Sequence, residues 1–184
     1  MRMKTGLILE GGAMRGLFSA GIMDVMMENG IAYDGVIGVS AGAAFGGNYI
    51  SGQIGRSIRY NLKYCRDKRY GGLYSLLTTG DIYNKDFCYS EIPLKYDPFD
   101  FAAFESSPAA FYVVCTDVET GKPVYHQYTG RRDHGFDWIQ ASASMPLVSR
   151  IVTIDGQKLL DGGVADSVPI RQFEQMGYDR NVII

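Results

Sequence analysis

The sequence predicts an α/β fold built on a parallel sheet, and two observations carry the prediction. Two short apolar runs bounded by glycine, "GLILE" (Gly6 to Glu10) and "DGVIGVS" (Asp34 to Ser40), read as buried strands. Each is followed by a small-residue loop or turn and then a helical stretch, the strand–helix–strand rhythm of a parallel sheet.

After the first strand and its "GGAMRG" loop, "LFSAGIMDVMMENG" places Phe18, Ile22, Val25 and Met26 on one helical face, with Gly30 where a C-terminal glycine ends the helix. The second strand leads into the small-residue helix "AGAAFGGNYISG". Residues 56–97 hold many tyrosines and no strong period, so a helical insertion is expected within about 53–105. "AAFYVVCTDVETGKPVYHQYT" (Ala109 to Thr129) reads as two strands joined at "ETGKP". A helix at "FDWIQASASMPLV" follows, then a second hairpin turning at Asp155-Gly156, and a helix started near Pro169. The closing "MGYDRNVII" reads as a helix ended by Gly177 and the start of a strand. Ending on Val182-Ile183-Ile184, the chain is expected to be a fragment of a longer protein.

Length and composition fit one soluble domain: 184 residues, 46% hydrophobic and 21% charged. A net charge of −2 gives no electrostatic basis for binding nucleic acid. Cys65, Cys88 and Cys115 are an odd number without a close pair, which disfavours a disulfide framework and a zinc site. No apolar run has the length of a membrane span, and the N-terminus lacks a secretory pattern, so a cytoplasmic location is expected.

"GVSAG" (Gly38 to Gly42) matches G-x-S-x-G between a strand and a helix. In that setting Ser40 is a candidate nucleophile on a sharp turn. Gly38 and Gly42 leave room where side chains would collide, and the helix N-terminus favours developing negative charge. The alternative is a small residue where a helix packs tightly on a strand. A serine nucleophile needs a base. The only histidines are His126, in a strand, and His134, in polar "RRDHGF", and neither follows the acid as an α/β-hydrolase triad requires. The candidate base is therefore Asp161 in "LLDGGVADSVPI", where Gly162 and Gly163 permit close approach to another backbone; a structural Asp-Gly turn is the competing reading. "EGGAMRG" (Glu10 to Gly16) supplies the N–H groups that an oxyanion needs, from Gly11, Gly12 and Ala13, with Arg15 adding positive charge. Dinucleotide binding is weaker, because Ala13 and Met14 stand where G-x-G-x-x-G wants glycine and Asp34 begins its strand instead of ending it.

"EGGAMRG", "GVSAG" and "DGG", in that order, resemble the patatin-like phospholipases, and "ASASMPLV" and "DSVPI" look like connecting segments of the same family. The resemblance spans Gly6 to Ile184. It departs at Glu10, where the family often has Asp, and at Ala13, where it often has a third Gly. It implies a three-layer α/β/α fold with a mostly parallel central sheet. It further implies a Ser40–Asp161 dyad, an oxyanion loop at Gly11–Ala13 with Arg15, and hydrolysis of a lipid carboxylic ester, of phospholipase A type, through an acyl-enzyme. No metal and no cofactor are expected, and the partners are a lipid or acyl-ester substrate and, transiently, a membrane surface; oligomeric state is open. Met14, Phe45, Met145 and Leu147 are candidates to line an acyl channel. Asp161 is expected in an apolar setting with a raised pKa, since a carboxylate is otherwise a weak base for an alcohol. The alternative is a non-catalytic module binding acyl lipid, phosphate or nucleotide on the same scaffold.

Overall fold

The computed structural model describes residues 2–184. Seven strands, β1 (Lys4–Leu9), β2 (Gly35–Val39), β3 (Ala110–Asp117), β4 (Pro123–Gln127), β5 (Val152–Ile154), β6 (Gln157–Asp161) and β7 (Tyr178–Ile183), form one sheet. The order is β5-β6-β3-β2-β1-β7, with β4 beside β3. β7, β1, β2 and β3 are mutually parallel. β4 and β6 run against β3, and β5 runs against β6 and so points with the first four. The sheet is therefore mostly parallel.

Successive residues of these strands face opposite sides, and both sides are apolar. Leu7, Leu9, Val36 and Val113 join one core, while Ile8, Ile37 and Val114 join the other. The helices are α1 (Leu17–Glu28), α2 (Ala41–Ile50), α3 (Arg56–Tyr64), α4 (Leu73–Thr79), α5 (Phe101–Ser106), α6 (Asp137–Ser142) and α7 (Ile170–Gln175). Ala20 and Met23 of α1, Phe45 of α2, Phe104 of α5 and Trp138 and Ile139 of α6 cover the first side. Phe173 of α7, stacked on Tyr178 with ring centroids 3.9 Å apart, covers the second. Three layers result.

The face of α1 differs from the sequence reading. Phe18 and Val25 are exposed, and the buried positions are Ala20 and Met23. Close packing decides this: a Cβ at Gly16, just before α1, would lie 2.9 Å from the Ala41 Cβ. The chain entering α1 must therefore be small where it meets α2, and the helix turns Ala20 and Met23, with Leu17, Met26 and Met27 beside them, to the core while Phe18 and Val25 stay outside. At the other end Gly30, at φ 64°, closes the helix as expected.

Between α2 and β3 the chain is helical. It includes α3, α4, α5 and a π-helical segment, Phe87–Tyr96, with Pro93 inside it. Pro93 has no N–H to give, and the regular helical ladder is interrupted there. This insertion has its own core, formed by the aromatic Tyr64, Tyr70 and Phe87 with Ile92. A buried polar network ties it to α2. The Arg56 guanidinium donates to Asn48 Oδ1 (2.7 Å) and to the Asp97 carbonyl, and Asn48 donates to Ser57 Oγ (2.9 Å). Such groups stay buried only because they satisfy one another.

Both hairpins form where the sequence places them, β3–β4 and β5–β6. Asp155 and Gly156 both have positive φ (48° and 84°), as a tight two-residue turn requires. The terminal apolar run is the strand β7, parallel to β1, and the Glu10 N–H donates to the Ile184 carbonyl (2.9 Å).

Candidate active site

β3 sets the geometry of the site. Its residues 112–116 pair with β4 along one edge. The other edge is shared between two strands: β2 occupies 110–114, and β6 takes over at 115. Val39 stands opposite Val114 and Asp161 opposite Cys115, so the end of β2 that carries Ser40 and the end of β6 that carries Asp161 meet. Gly162 makes the meeting possible, because a Cβ there would collide with the Val114 carbonyl.

Ser40 sits at φ 55°, ψ −117°, a conformation that costs an L-residue about 1–3 kcal/mol. The flanking glycines allow it in two different ways. A Cβ at Gly38 would lie 2.6 Å from the Gly42 carbonyl oxygen, across the turn. A Cβ at Gly42 would instead run into Leu9 of β1, so that glycine serves the packing of α2 on the neighbouring strand. Helix α2 starts immediately after Ser40, with its N-terminal N–H groups towards the turn.

Two serines of "ASAS" hold the parts in place, a role the sequence reading did not identify. Ser142 Oγ accepts from the Ser40 N–H (2.9 Å) and donates to the Val114 carbonyl (2.6 Å). The Ser144 carbonyl accepts from the Asp161 N–H (2.8 Å), and Thr116 Oγ1 donates to the Asp161 carbonyl (2.7 Å). The Ser40 turn and the Asp161 backbone are thus fixed through one segment.

The Asp161 carboxyl is buried, and burial pushes its pKa above the ordinary carboxylate value; hydrogen bonding from the Ser40 hydroxyl and the Gly163 N–H opposes the shift. Its well-aligned bond is from the Gly163 N–H, at 2.8 Å. Among the described residues no hydrogen bond of good geometry joins the Ser40 hydroxyl to the carboxyl, although the hydroxyl lies near enough to oppose the shift.

The glycine-rich loop completes the arrangement. Gly11 lies against Ser40, where a Cβ would be 2.9 Å from the Ser40 Cβ. Among the described residues, no protein acceptor takes the N–H groups of Gly11, Gly12, Ala13 or Ala41. They remain available to an oxyanion beside Ser40, and the Ala41 group is one the sequence reading left out. The Arg15 N–H, by contrast, is used in a turn to the Gly12 carbonyl (3.0 Å), and only its exposed side chain lines the site. Ala13 has φ 49°, a left-handed conformation that favours glycine. Replacing Ala13 with Gly is expected to raise stability by about 0.5–1 kcal/mol, the relieved strain outweighing the extra freedom of the unfolded chain. Urea unfolding measures this.

Ser40 stands where two cavities meet. One, of about 450 Å³, is open and bordered by Glu10, Gly12, Arg15, Asp161 and Ser167. The other, of about 70 Å³, runs between α2 and the helical insertion, past Phe45, Tyr60, Tyr83, Cys88 and Tyr89. Met14 and Met145 line the second cavity, as the channel reading expects, and Phe45 does too. Leu147 does not; it is fully exposed, at φ 70°. No motif marks the insertion, and the sequence reading assigned its tyrosines no role.

The remaining candidates lie elsewhere. His126 stacks on Trp138 and bonds Asp133 (2.7 Å), and His134 meets the exposed Asp155 (3.1 Å). Asp34 is held at the opposite end of the sheet by the Thr5 N–H (2.7 Å) and Arg2 (2.8 Å). Neither histidine reaches Ser40, and a ribose-binding role for Asp34 is unsupported.

The family model of patatin-like phospholipase matches residues 7–174. The chain belongs to that family. The match runs from β1 to α7 and so includes every residue of the site just described. Among curated relatives of this patatin-like chain, the uncharacterized protein YjjU of Escherichia coli (strain K12) is 27% identical over 98% of the chain and 51% of its own length. Lysophospholipase nte1 of Emericella nidulans is 27% identical over 95% of the chain, but over 11% of its own length. Lysophospholipase NTE1 of Kluyveromyces lactis is 29% identical over 94% and 12%. The patatin-like chain thus spans about half of one relative and about a tenth of the others. VipD from Legionella pneumophila shares the fold, with a TM-score of 0.51 at 14% identity over 90% of this chain and 47% of its own.

Proposed function

We propose that this chain is a serine acyl hydrolase that cleaves a lipid carboxylic ester, with Ser40 as nucleophile and Asp161 as its base. The observation that carries the reading is a single constellation: a serine in a strained turn, a buried carboxyl beside it and unclaimed N–H groups next to both. Asp161 takes the Ser40 proton as Oγ bonds to the ester carbonyl carbon. The resulting oxyanion is held by the Gly11–Ala13 and Ala41 N–H groups, and the acyl–oxygen bond of the alcohol breaks as Asp161 returns the proton. Water, deprotonated by the same carboxylate, then releases the acid and restores Ser40.

The family and the lysophospholipase relatives support a glycerolipid substrate, and cleavage of phospholipase A type is the form we assign. Exposed Leu147 and Val164 beside the open cavity's Pro146 and Gly163 support brief contact with a membrane surface. Labelling with a fluorophosphonate tests the core of the reading. Ser40 is expected to be modified, and labelling that persists in Ser40→Ala overturns it. A non-catalytic lipid-binding module would leave the probe unreacted and carry lipid through purification.

A further inference from the structure

The two cavities at Ser40 divide the substrate, and the division follows from Asp161. The group that protonates the departing alkoxide must sit on the alcohol's side, and Asp161 borders only the open cavity. The acyl chain therefore enters the cavity between α2 and the insertion.

That cavity is mostly apolar, but it is not lined by hydrocarbon alone. Ala41, Ala44 and Phe45 form one wall, but the insertion adds Tyr60, Tyr83, Tyr89 and the Cys88 thiol. Cys88 lies close enough to Tyr60, Tyr83 and Tyr89 to help raise the pKa of each, and Tyr89 also feels the Asp161 charge. Among the described residues, the hydroxyls of Tyr83 and Tyr89 have no hydrogen-bond partner. Tyr60 leans on Asn61, whose carbonyl oxygen already accepts from Tyr70, and the Cys88 thiol is committed to the Tyr70 carbonyl (3.1 Å). Tyr60 and Tyr89 are half-buried, and both line the cavity. An alkyl chain laid against these oxygens would strip them of water and return nothing.

We propose that the enclosed cavity selects an acyl group bearing a hydroxyl along its chain, received by the phenol oxygens of Tyr83 and Tyr89. The inference rests on the acyl-hydrolase reading above and deepens it by naming the acyl class. A site with fixed hydrogen-bond groups discriminates against a substrate lacking them far more strongly than an apolar slot discriminates by size.

The test compares ethyl hexanoate with ethyl hydroxyhexanoates whose hydroxyl is moved along the chain, followed by acid release. At least one hydroxylated ester is expected to exceed the plain ester in kcat/KM by about tenfold or more. Tyr89→Phe and Tyr83→Phe, which keep the ring and hence the fold, are expected to shrink that ratio by speeding the plain ester and slowing the hydroxylated one. A plain ester preferred over every hydroxylated one, or a ratio unmoved in both variants, overturns the proposal. If no ester is turned over and Ser40 resists the fluorophosphonate, the acyl-hydrolase reading fails separately. The pocket is then read by thermal shift of Ser40→Ala with hexanoate and hydroxyhexanoates: a larger shift with a hydroxy acid sustains the preference, and an equal or smaller one overturns it.

Discussion

Ser40→Ala is expected to lower kcat/KM for ester hydrolysis by about 10⁴-fold or more, leaving only the acceleration that the oxyanion donors and binding supply. The loss should fall on kcat, since the hydroxyl is asked to form the bond and not to bind the substrate. A second substitution separates chemistry from strain. Ser40→Gly should be equally inactive yet about 1 kcal/mol more stable than Ser40→Ala, because φ 55° and ψ −117° strain alanine as they strain serine and suit glycine. Burst kinetics and thermal melts on the three proteins decide both points. An active Ser40→Gly would remove the serine from the mechanism, and equal stability of the two variants would remove the strain.

The elbow was legible in the sequence because its requirements are local. A strand, a turn and a helix N-terminus lie within a dozen residues, and Gly38 is required by the Gly42 backbone only four positions away. Even there the reading was half right, since Gly42 answers to Leu9 on the neighbouring strand β1. The pairing of Ser40 with Asp161 is 121 residues long in sequence and depends on β3 exchanging one neighbour for another between Val114 and Cys115. No periodicity encodes that exchange, and the order of motifs pointed to it only through resemblance.

Other residues were hidden for the same physical reason. Ser142 and Ser144 act through a hydroxyl and a carbonyl that reach separate strands, and nothing in "ASAS" distinguishes them from ordinary helix-end serines. Tyr83 and Tyr89 become cavity wall only when the insertion folds over α2, which depends on Arg56, Asn48 and Asp97 meeting. In α1 the difficulty was excess rather than absence. Apolar residues occur nearly all round the helix, so the period permits several faces, and the one centred on Ala20 and Met23, set by the close approach of Gly16 to Ala41, won.

Asp161→Asn should cost about 10⁴-fold in kcat/KM, while making the protein more stable at neutral pH. The two effects have one origin. Burial raises the carboxyl's pKa in the folded protein above its unfolded value, so folding disfavours the ionised form. A group with that shift stabilises the fold fully only below its unfolded pKa of about 3.9, and the contribution disappears as pH rises through the folded pKa. At neutral pH the wild type therefore holds a carboxylate its surroundings penalise. Asparagine avoids the penalty, and its carbonyl can still accept from the Gly163 N–H, the 2.8 Å bond of the native site. The melting temperature of Asp161→Asn should exceed that of the wild type at pH about 7, and the gap should narrow as pH falls towards about 4. Activity gives the same titration from the other side. Only the ionised carboxylate can take the Ser40 proton, so kcat/KM of the wild type should rise with pH through the raised pKa, at higher pH than an ordinary aspartate would set. A variant no more stable than wild type at neutral pH, or a gap indifferent to pH, would mean that Asp161 is not the strained base of this site.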